Sequence, residues 1–332
     1  MRKPKKLINN PDAVAKEQFD GFMVAAPHME QVGSVTAAIR KDFNPAKVAI
    51  VTGGGAGHEP MYGGYVGEGL ADAVAVGDVF AAPSPDIITD ACNALNPENG
   101  VIFVYGNYAG DNMNFDIAAE LLEDDDIKSH TVRINDDVIS APKENEVERR
   151  GIAGALFVLK AAGAAAQLYA EFDDVVAATE KALKNTASVG LALGPCAIPR
   201  NESFNFDIAD DELEIGMGLH GEPGVGKSKL STTDETVPQL MDRLVEELEL
   251  ESGDNVCVLV NNLGSSTQME LLIANRAVSN YLAEKGIGIH DSLVGGYCTS
   301  LEMSGYSISL FKLDDQLTRL YDNPCHSFAL RK

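Results

Sequence analysis

Short β-branched runs alternate along the chain with segments of helical periodicity, the pattern of an α/β protein. Residues 47–52 (KVAIVT) and 100–105 (GVIFVY) read as buried strands, with 129–134 (SHTVRI) a weaker third. Between them, residues 84–95 and 111–122 show helical spacing with Pro or Asp near their starts, so the strand–helix rhythm predicts a parallel sheet with crossovers. Two helices follow, over 151–169 and 173–185. The first is long enough to span a membrane, but Lys160 lies inside it and Glu148, Arg149 and Arg150 precede it, which favours a close-packed internal helix. The pattern then changes. Strands are expected at 188–193, 214–219, 255–261, 288–293 and 306–312, with helices at 234–249 and 267–284. This break predicts two domains, 1–186 and 187–332, in keeping with a chain of 332 residues at roughly 150 per domain.

Charge narrows the choice of partner. Fifty acidic residues against 26 basic ones give a formal net charge of −24, which excludes a phosphate-backbone binder because counterion release needs a basic surface. The one dense basic run, Arg2, Lys3, Lys5 and Lys6, reads as a solvated tail, and the acidic clusters at 123–126, 136–137, 171–174 and 207–214 as solvated faces and turns. Residues 7–11 are too short and polar for a secretory signal, so a cytoplasmic protein with no membrane partner is expected. Cys92, Cys196, Cys257, Cys298 and Cys325 form no C-x-x-C pair and are read as reduced, buried thiols, with no metal site.

Four motifs carry candidate chemistry. Residues 221–228 (GEPGVGKS) match the P-loop letter for letter, but a P-loop lysine must open a helix. Here the capping signals come only near Thr233 or Asp234, and the next strand ends in Asn261-Asn262 rather than a metal-binding Asp, so the match is taken as accidental. Residues 53–60 (GGGAGHEP) follow a strand directly. His58 replaces the last glycine of a dinucleotide fingerprint and Pro60 prevents a normal helix start, which argues against NAD and for a loop that approaches a small ligand closely. Residues 106–111 (GNYAGD) occupy the corresponding place after the next strand. Asp111 is either a helix N-cap or a carboxylate aimed into the same crevice as His58. His220, between Leu219 and Gly221 at a further strand end, is either structural or an accessible imidazole.

Taken together, GGGAGHEP, NYAGD and GLHGEPG resemble, in order and spacing, the signature of the dihydroxyacetone kinase K-subunit family, with further matches at 149–151, 260–264 and 297–301. The resemblance covers nearly the whole chain. It implies an N-terminal three-layer α/β/α domain with a parallel sheet and a C-terminal two-layer α/β domain with a mixed sheet, a DAK1/DegV-like fold. It also implies that His220 captures the carbonyl carbon of dihydroxyacetone or a related ketose as a hemiaminal, that Asp111 is the base, and that His58 is its hydrogen-bonding partner or relay. Gly55, Ala56, Gly57 and Gly106, with these three, would line the substrate. Imidazole addition stops at the hemiaminal because the ring nitrogen has no second proton to lose, so only carbonyl compounds are captured.

The resemblance further implies a homodimer and a phosphotransferase reaction. The nucleotide, Mg-ATP or Mg-ADP, would be carried by a separate L-type subunit, with a phosphotransferase-system donor subunit as a further partner. Residues 1–332 offer no helical nucleotide unit of that kind. Many members have a lysine where this chain has Gly106, and the lost bulk is expected to enlarge the pocket for a four-carbon ketose such as erythrulose. Some relatives keep the covalent histidine as sensors that coactivate transcription. An independent P-loop ATPase is the third alternative.

Overall fold

The computed structural model describes residues 4–332. They form two compact units, one built from 6–134, 156–182 and 317–332, the other chiefly from 135–155 and 183–316. Each unit draws on more than one stretch of the chain. The loop at 135–155 works with the later sheet: the Val138 amide donates to Ser188 O and the Ser188 amide to Asp136 O. The two helices that follow return to the first unit.

In the first unit the elements run α1 (Val14–Ala25), β1 (Met29–Gln31), β2 (Ala37–Arg40), β3 (Ala49–Ala56), β4 (Gly67–Glu68), β5 (Ala73–Val79), α2 (Pro85–Leu95), β6 (Val101–Gly106), α3 (Ala109–Asp124) and β7 (Ser129–Ile134). The sheet order is β1-β2-β5-β3-β6-β7. Strands β5, β3, β6 and β7 are parallel, and β1 and β2 add an antiparallel edge. Ile88, Cys92 and Leu95 of α2 and Phe115, Ala118 and Leu122 of α3 pack on Val51, Ala75, Val101 and Phe103. The alternate residues Ile50, Ile102 and Val104 are just as buried, so both faces are covered in three layers. Helices α4 (Ala155–Leu168) and α5 (Phe172–Lys184) follow. α4 is buried on every side through Ala166. Its Lys160 donates to Leu320 O at 2.9 Å, and burial pushes its ammonium down to about 8. The stretch is therefore an internal helix, and among the described residues no helix is long and apolar enough to cross a membrane.

The second unit contains β8 (Thr186–Gly194), β9 (Glu212–Ile215), β10 (Gly226–Lys229), α6 (Thr233–Glu247), β11 (Asn255–Asn262), α7 (Gln268–Lys285), β12 (Gly288–Gly295) and β13 (Ser304–Leu313). Its order is β10-β9-β8-β13-β11-β12. Only β11 and β12 pair in parallel, so the sheet is mixed. Val237, Leu240 and Leu244 of α6 and Leu271, Val278 and Leu282 of α7 cover one face, against Val189, Val258, Ile308 and Leu310. Both helices open with capping boxes, Thr232 with Glu235 and Thr267 with Glu270. The chain then completes the first unit with α8 (Asp315–Asp322) and β14 (His326–Ser327), which pairs with β4. All five cysteines are buried.

Candidate functional site

Three neighbouring parallel strands of the first unit end side by side, and each delivers a side chain. After β3, Gly57 turns the chain at φ +100°, a conformation open to glycine, and Pro60 stops a helix from forming. The Gly57 amide donates to Glu59 Oε1 at 2.9 Å. Burial raises the Glu59 carboxyl, with that amide pulling the other way. His58 is only 3% exposed, and its ring stacks on Phe80 with centroids 4.9 Å apart and planes 16° apart. Phe80 follows the end of β5 at φ +58°, a left-handed conformation that costs about 1–2 kcal/mol, while its amide donates to Ala56 O.

After β6 the helix α3 begins at Ala109, with Tyr108 as N-cap and no side-chain capping bond. Asp111 is thus not the cap. It stands in the first turn of a 16-residue helix, where the dipole favours a carboxylate, and it is half-buried. Behind it Asn112 Nδ2 donates to Asn107 Oδ1 at 2.7 Å, and the Asn107 amide to Ile134 O. Gly53 pairs with Tyr105 across β3 and β6, so Gly54 and Gly106 are the next positions on these strands. Tyr62 lies over both. A Cβ at Gly54 would run into its ring, and one at Gly106 would stand 2.9 Å from its hydroxyl and 3.2 Å from the Tyr108 ring. Next to the Gly106 Cα the nearest atoms are thus the Tyr62 hydroxyl and the Tyr108 ring.

The second unit presents His220 on the loop between β9 and β10. The strand expected over 214–219 is shorter and earlier, and 216–225 form the loop. His220 Nδ1 lies 2.8 Å from Glu222 Oε1, and its backbone amide donates to Glu222 Oε2 at 2.9 Å. Burial by itself opposes ionisation of Glu222, but the hydrogen bond and charge of His220 outweigh it and bring the carboxyl down to about 2. The short contact suits a ring that donates from Nδ1 to an anionic Glu222. The imidazole is 26% exposed, and Asn205 Nδ2 donates to the His220 carbonyl at 3.3 Å.

A second layer holds this loop. Arg150 donates to Gly216 O at 2.7 Å and to Asp137 Oδ2 at 2.9 Å. Asp136 accepts the amides of Ile152 and Gly154 at 2.7 and 2.8 Å. This acidic pair, expected on a solvated turn, is 2% and 1% exposed, because backbone amides and a guanidinium take the place of water. Burial pushes Asp137 up to about 7, with Arg150 as the main opposing pull. A Cβ at Gly218 would collide with the Glu222 carboxylate and the Arg150 guanidinium.

His58 and Asp111, with Gly55, Ala56, Gly57 and Gly106, thus share one end of one sheet, while His220 belongs to the other unit. The P-loop match has no cradle. Lys227 and Ser228 are exposed on the edge strand β10, Lys227 Nζ donates to Asp207 O at 2.7 Å, and the helix starts at Thr233. Sequence reasoning missed Glu222, Arg150, Tyr62 and Phe80 as site residues. Of these, Glu222 and Arg150 stood within matched motifs, while nothing local marks where the rings of Tyr62 and Phe80 go.

Glycine-lined strand ends bearing an imidazole and a carboxylate, and a mixed sheet bearing a carboxylate-braced histidine, define an α/β protein built for a small polar ligand. Residues 20–329 match the Dak1 domain model, and the chain belongs to that family. It is 42% identical over 325 residues, 97% of each chain, to a Listeria innocua protein named PTS-dependent dihydroxyacetone kinase 2, dihydroxyacetone-binding subunit DhaK. It is 36% identical to the L-erythrulose kinase of Pectobacterium atrosepticum, over 98% of this chain and 56% of that longer one. The solved structure of the dihydroxyacetone kinase operon co-activator Dha-DhaQ matches with a TM-score of 0.89 at 28% identity, over 95% of this chain and 98% of that one. A Thermus thermophilus DegV family protein shares the fold alone, with a TM-score of 0.51 at 11% identity over 80% of this chain and 100% of that one.

Proposed function

We propose that this chain is the ketose-binding subunit of a dihydroxyacetone kinase, a phosphotransferase with an alcohol acceptor. The observation that carries the reading is the His220–Glu222 pair. Nε2 adds to the carbonyl carbon, the C=O π pair moves to oxygen, and that oxygen gains a proton. The ring gains positive charge as the bond forms, Glu222 stabilises it, and loss of the Nδ1 proton closes the balance at a neutral hemiaminal. Asp111 accepts the proton of the terminal hydroxyl late in a loose phosphoryl-transfer transition state, with His58 as its hydrogen-bonding partner. The donor nucleotide and its magnesium ride on a separate L-type partner, a reading supported by the relative named as the dihydroxyacetone-binding subunit of a kinase.

The test is intact-mass measurement after incubation with dihydroxyacetone, followed by a turnover assay with magnesium ATP and an L-type subunit. An adduct that His220→Ala abolishes, and turnover only when both proteins are present, are expected. An undiminished adduct in His220→Ala rejects the role of His220. A second reading, a ketose sensor that does not pass phosphate, is favoured by the likeness to the operon co-activator. Adduct formation without turnover in any mixture, including one driven by phosphoenolpyruvate through a phosphotransferase-system donor, would select it.

A further inference from the structure

His220 is held by its backbone as well as by its ring. The peptide unit that joins it to Leu219 is tied at both ends: the Leu219 carbonyl accepts from Ser300 Oγ, and the His220 amide donates to Glu222 Oε2 at 2.9 Å. The next peptide unit is tied as well. Its carbonyl, that of His220, accepts from Asn205 Nδ2 at 3.3 Å, and its amide, that of Gly221, donates to Gly218 O at 3.1 Å. A peptide unit is planar, so the backbone at one residue turns only about the two torsions between its flanking planes. Four tethers fix φ and ψ of His220, and with them the direction of its Cα–Cβ bond.

Ser300 is in turn set by a buried asparagine. Asn261, near the end of β11 and 0% exposed, accepts the amides of Tyr297 and Cys298 through Oδ1 at 2.9 and 2.8 Å. Its Nδ2 donates to the Cys298 carbonyl at 2.7 Å, and the Ser300 amide closes the turn on Leu263 O. Ser300 is buried too. The Cys196 sulfur stands beside both struts, 3.7 Å from Ser300 Oγ and 3.8 Å from Asn205 Nδ2. Every one of these residues belongs to the second unit.

We infer that Ser300 and Asn205 are positioning residues for carbonyl capture: they lock the backbone on either side of His220, so that the imidazole is oriented before a ketose arrives. The inference rests on the capture role proposed for His220 and deepens it. An unlocked histidine has to be ordered as the adduct forms, and that entropy is lost from the affinity.

The experiment measures the dihydroxyacetone concentration that half-saturates the adduct, by intact mass, together with Tm, in the wild type, Ser300→Ala, Ser300→Thr, Asn205→Ala and Ser309→Ala. Ser309 is the control. It is buried on β13 of the same unit, where its hydroxyl bonds Ser188 Oγ at 2.6 Å. Ser300→Ala and Asn205→Ala should each raise the half-saturating concentration about tenfold. Ser300→Thr keeps the hydroxyl and should return it to within about threefold of the wild type, and Ser309→Ala should lower Tm without moving it. If Ser300→Ala and Asn205→Ala shift capture no more than Ser309→Ala does, the struts are scaffold only and the inference falls while the ketose reading stands. A Ser300→Thr that keeps the wild-type Tm yet captures no better than Ser300→Ala overturns it too. If the wild type forms no adduct, or His220→Ala forms it undiminished, the reading itself fails and takes the inference with it.

Discussion

The two candidate-site histidines, His58 and His220, are held by opposite means. His58 is enclosed by an aromatic ring and glycine backbone, at 3% exposure, whereas His220 is partly open and tied by charge, through Glu222 with Arg150 and Asp137 behind its loop. Stacking and close packing fix where a ring lies but leave its proton inventory to its partners. A carboxylate at 2.8 Å from Nδ1 also favours a proton on that nitrogen. On the proposed function the difference is a division of labour, in which the first unit would shape the space around a ligand and the second would prepare a nucleophile.

That division breaks first at the base. Asp111→Asn is expected to leave the hemiaminal intact and lower turnover by about 10²–10⁴-fold in a coupled phosphorylation assay. Near-normal turnover would remove Asp111 from the chemistry. Glu222→Gln should act on capture instead, reducing the adduct by about 10–100-fold by intact mass, because an amide neither fixes the Nδ1 proton nor balances the ring's charge. Gly218→Ala, whose methyl would collide with Glu222 and Arg150, should destabilise the protein by about 1–3 kcal/mol in chemical denaturation.

The pH dependence sharpens the same contrast. Glu222 sits at about 2 against an ordinary 4.5, so folding favours its ionised form. The stability it contributes is present above 4.5 and is lost as the pH falls towards 2. The Tm advantage of the wild type over Glu222→Gln should therefore narrow steadily below pH 4.5, and a constant gap would show that the pair is not a charged one. Lys227→Ala should change nothing measurable in capture or turnover, since that side chain only caps the Asp207 carbonyl on the surface.

How much of this was legible in the sequence follows from the range of the forces involved. Strands β3, β6 and β11 announced themselves through the apolar and β-branched runs AIVT, VIFVY and VCVLV, and β7 (SHTVRI) more weakly. β5 (AVAVGDV) did not, since alanine, glycine and aspartate blur the pattern, and β1 and β2 are too short for any periodicity. The helix start at Thr233 was legible because a capping box is local, and for the same reason the P-loop could be rejected. Asp136 and Asp137 read as solvent-facing because the amides and guanidinium that satisfy them come from 150–154, a pairing made only by folding. His58, Asp111 and His220 stood out by their motifs. The reach of Tyr62 from Gly54 to Gly106 depends on strand register, which no local pattern encodes.

The pairing of β14 with β4 has a consequence for the order of assembly. Ser327 must meet Gly67, so the unit whose sheet is synthesised first is also the one completed last. During vectorial synthesis β4 waits for its partner strand until roughly the whole length of the second unit has emerged. Neither unit is a contiguous stretch of chain, and a protein cut at 186 would release two fragments that each lack a piece of their own fold.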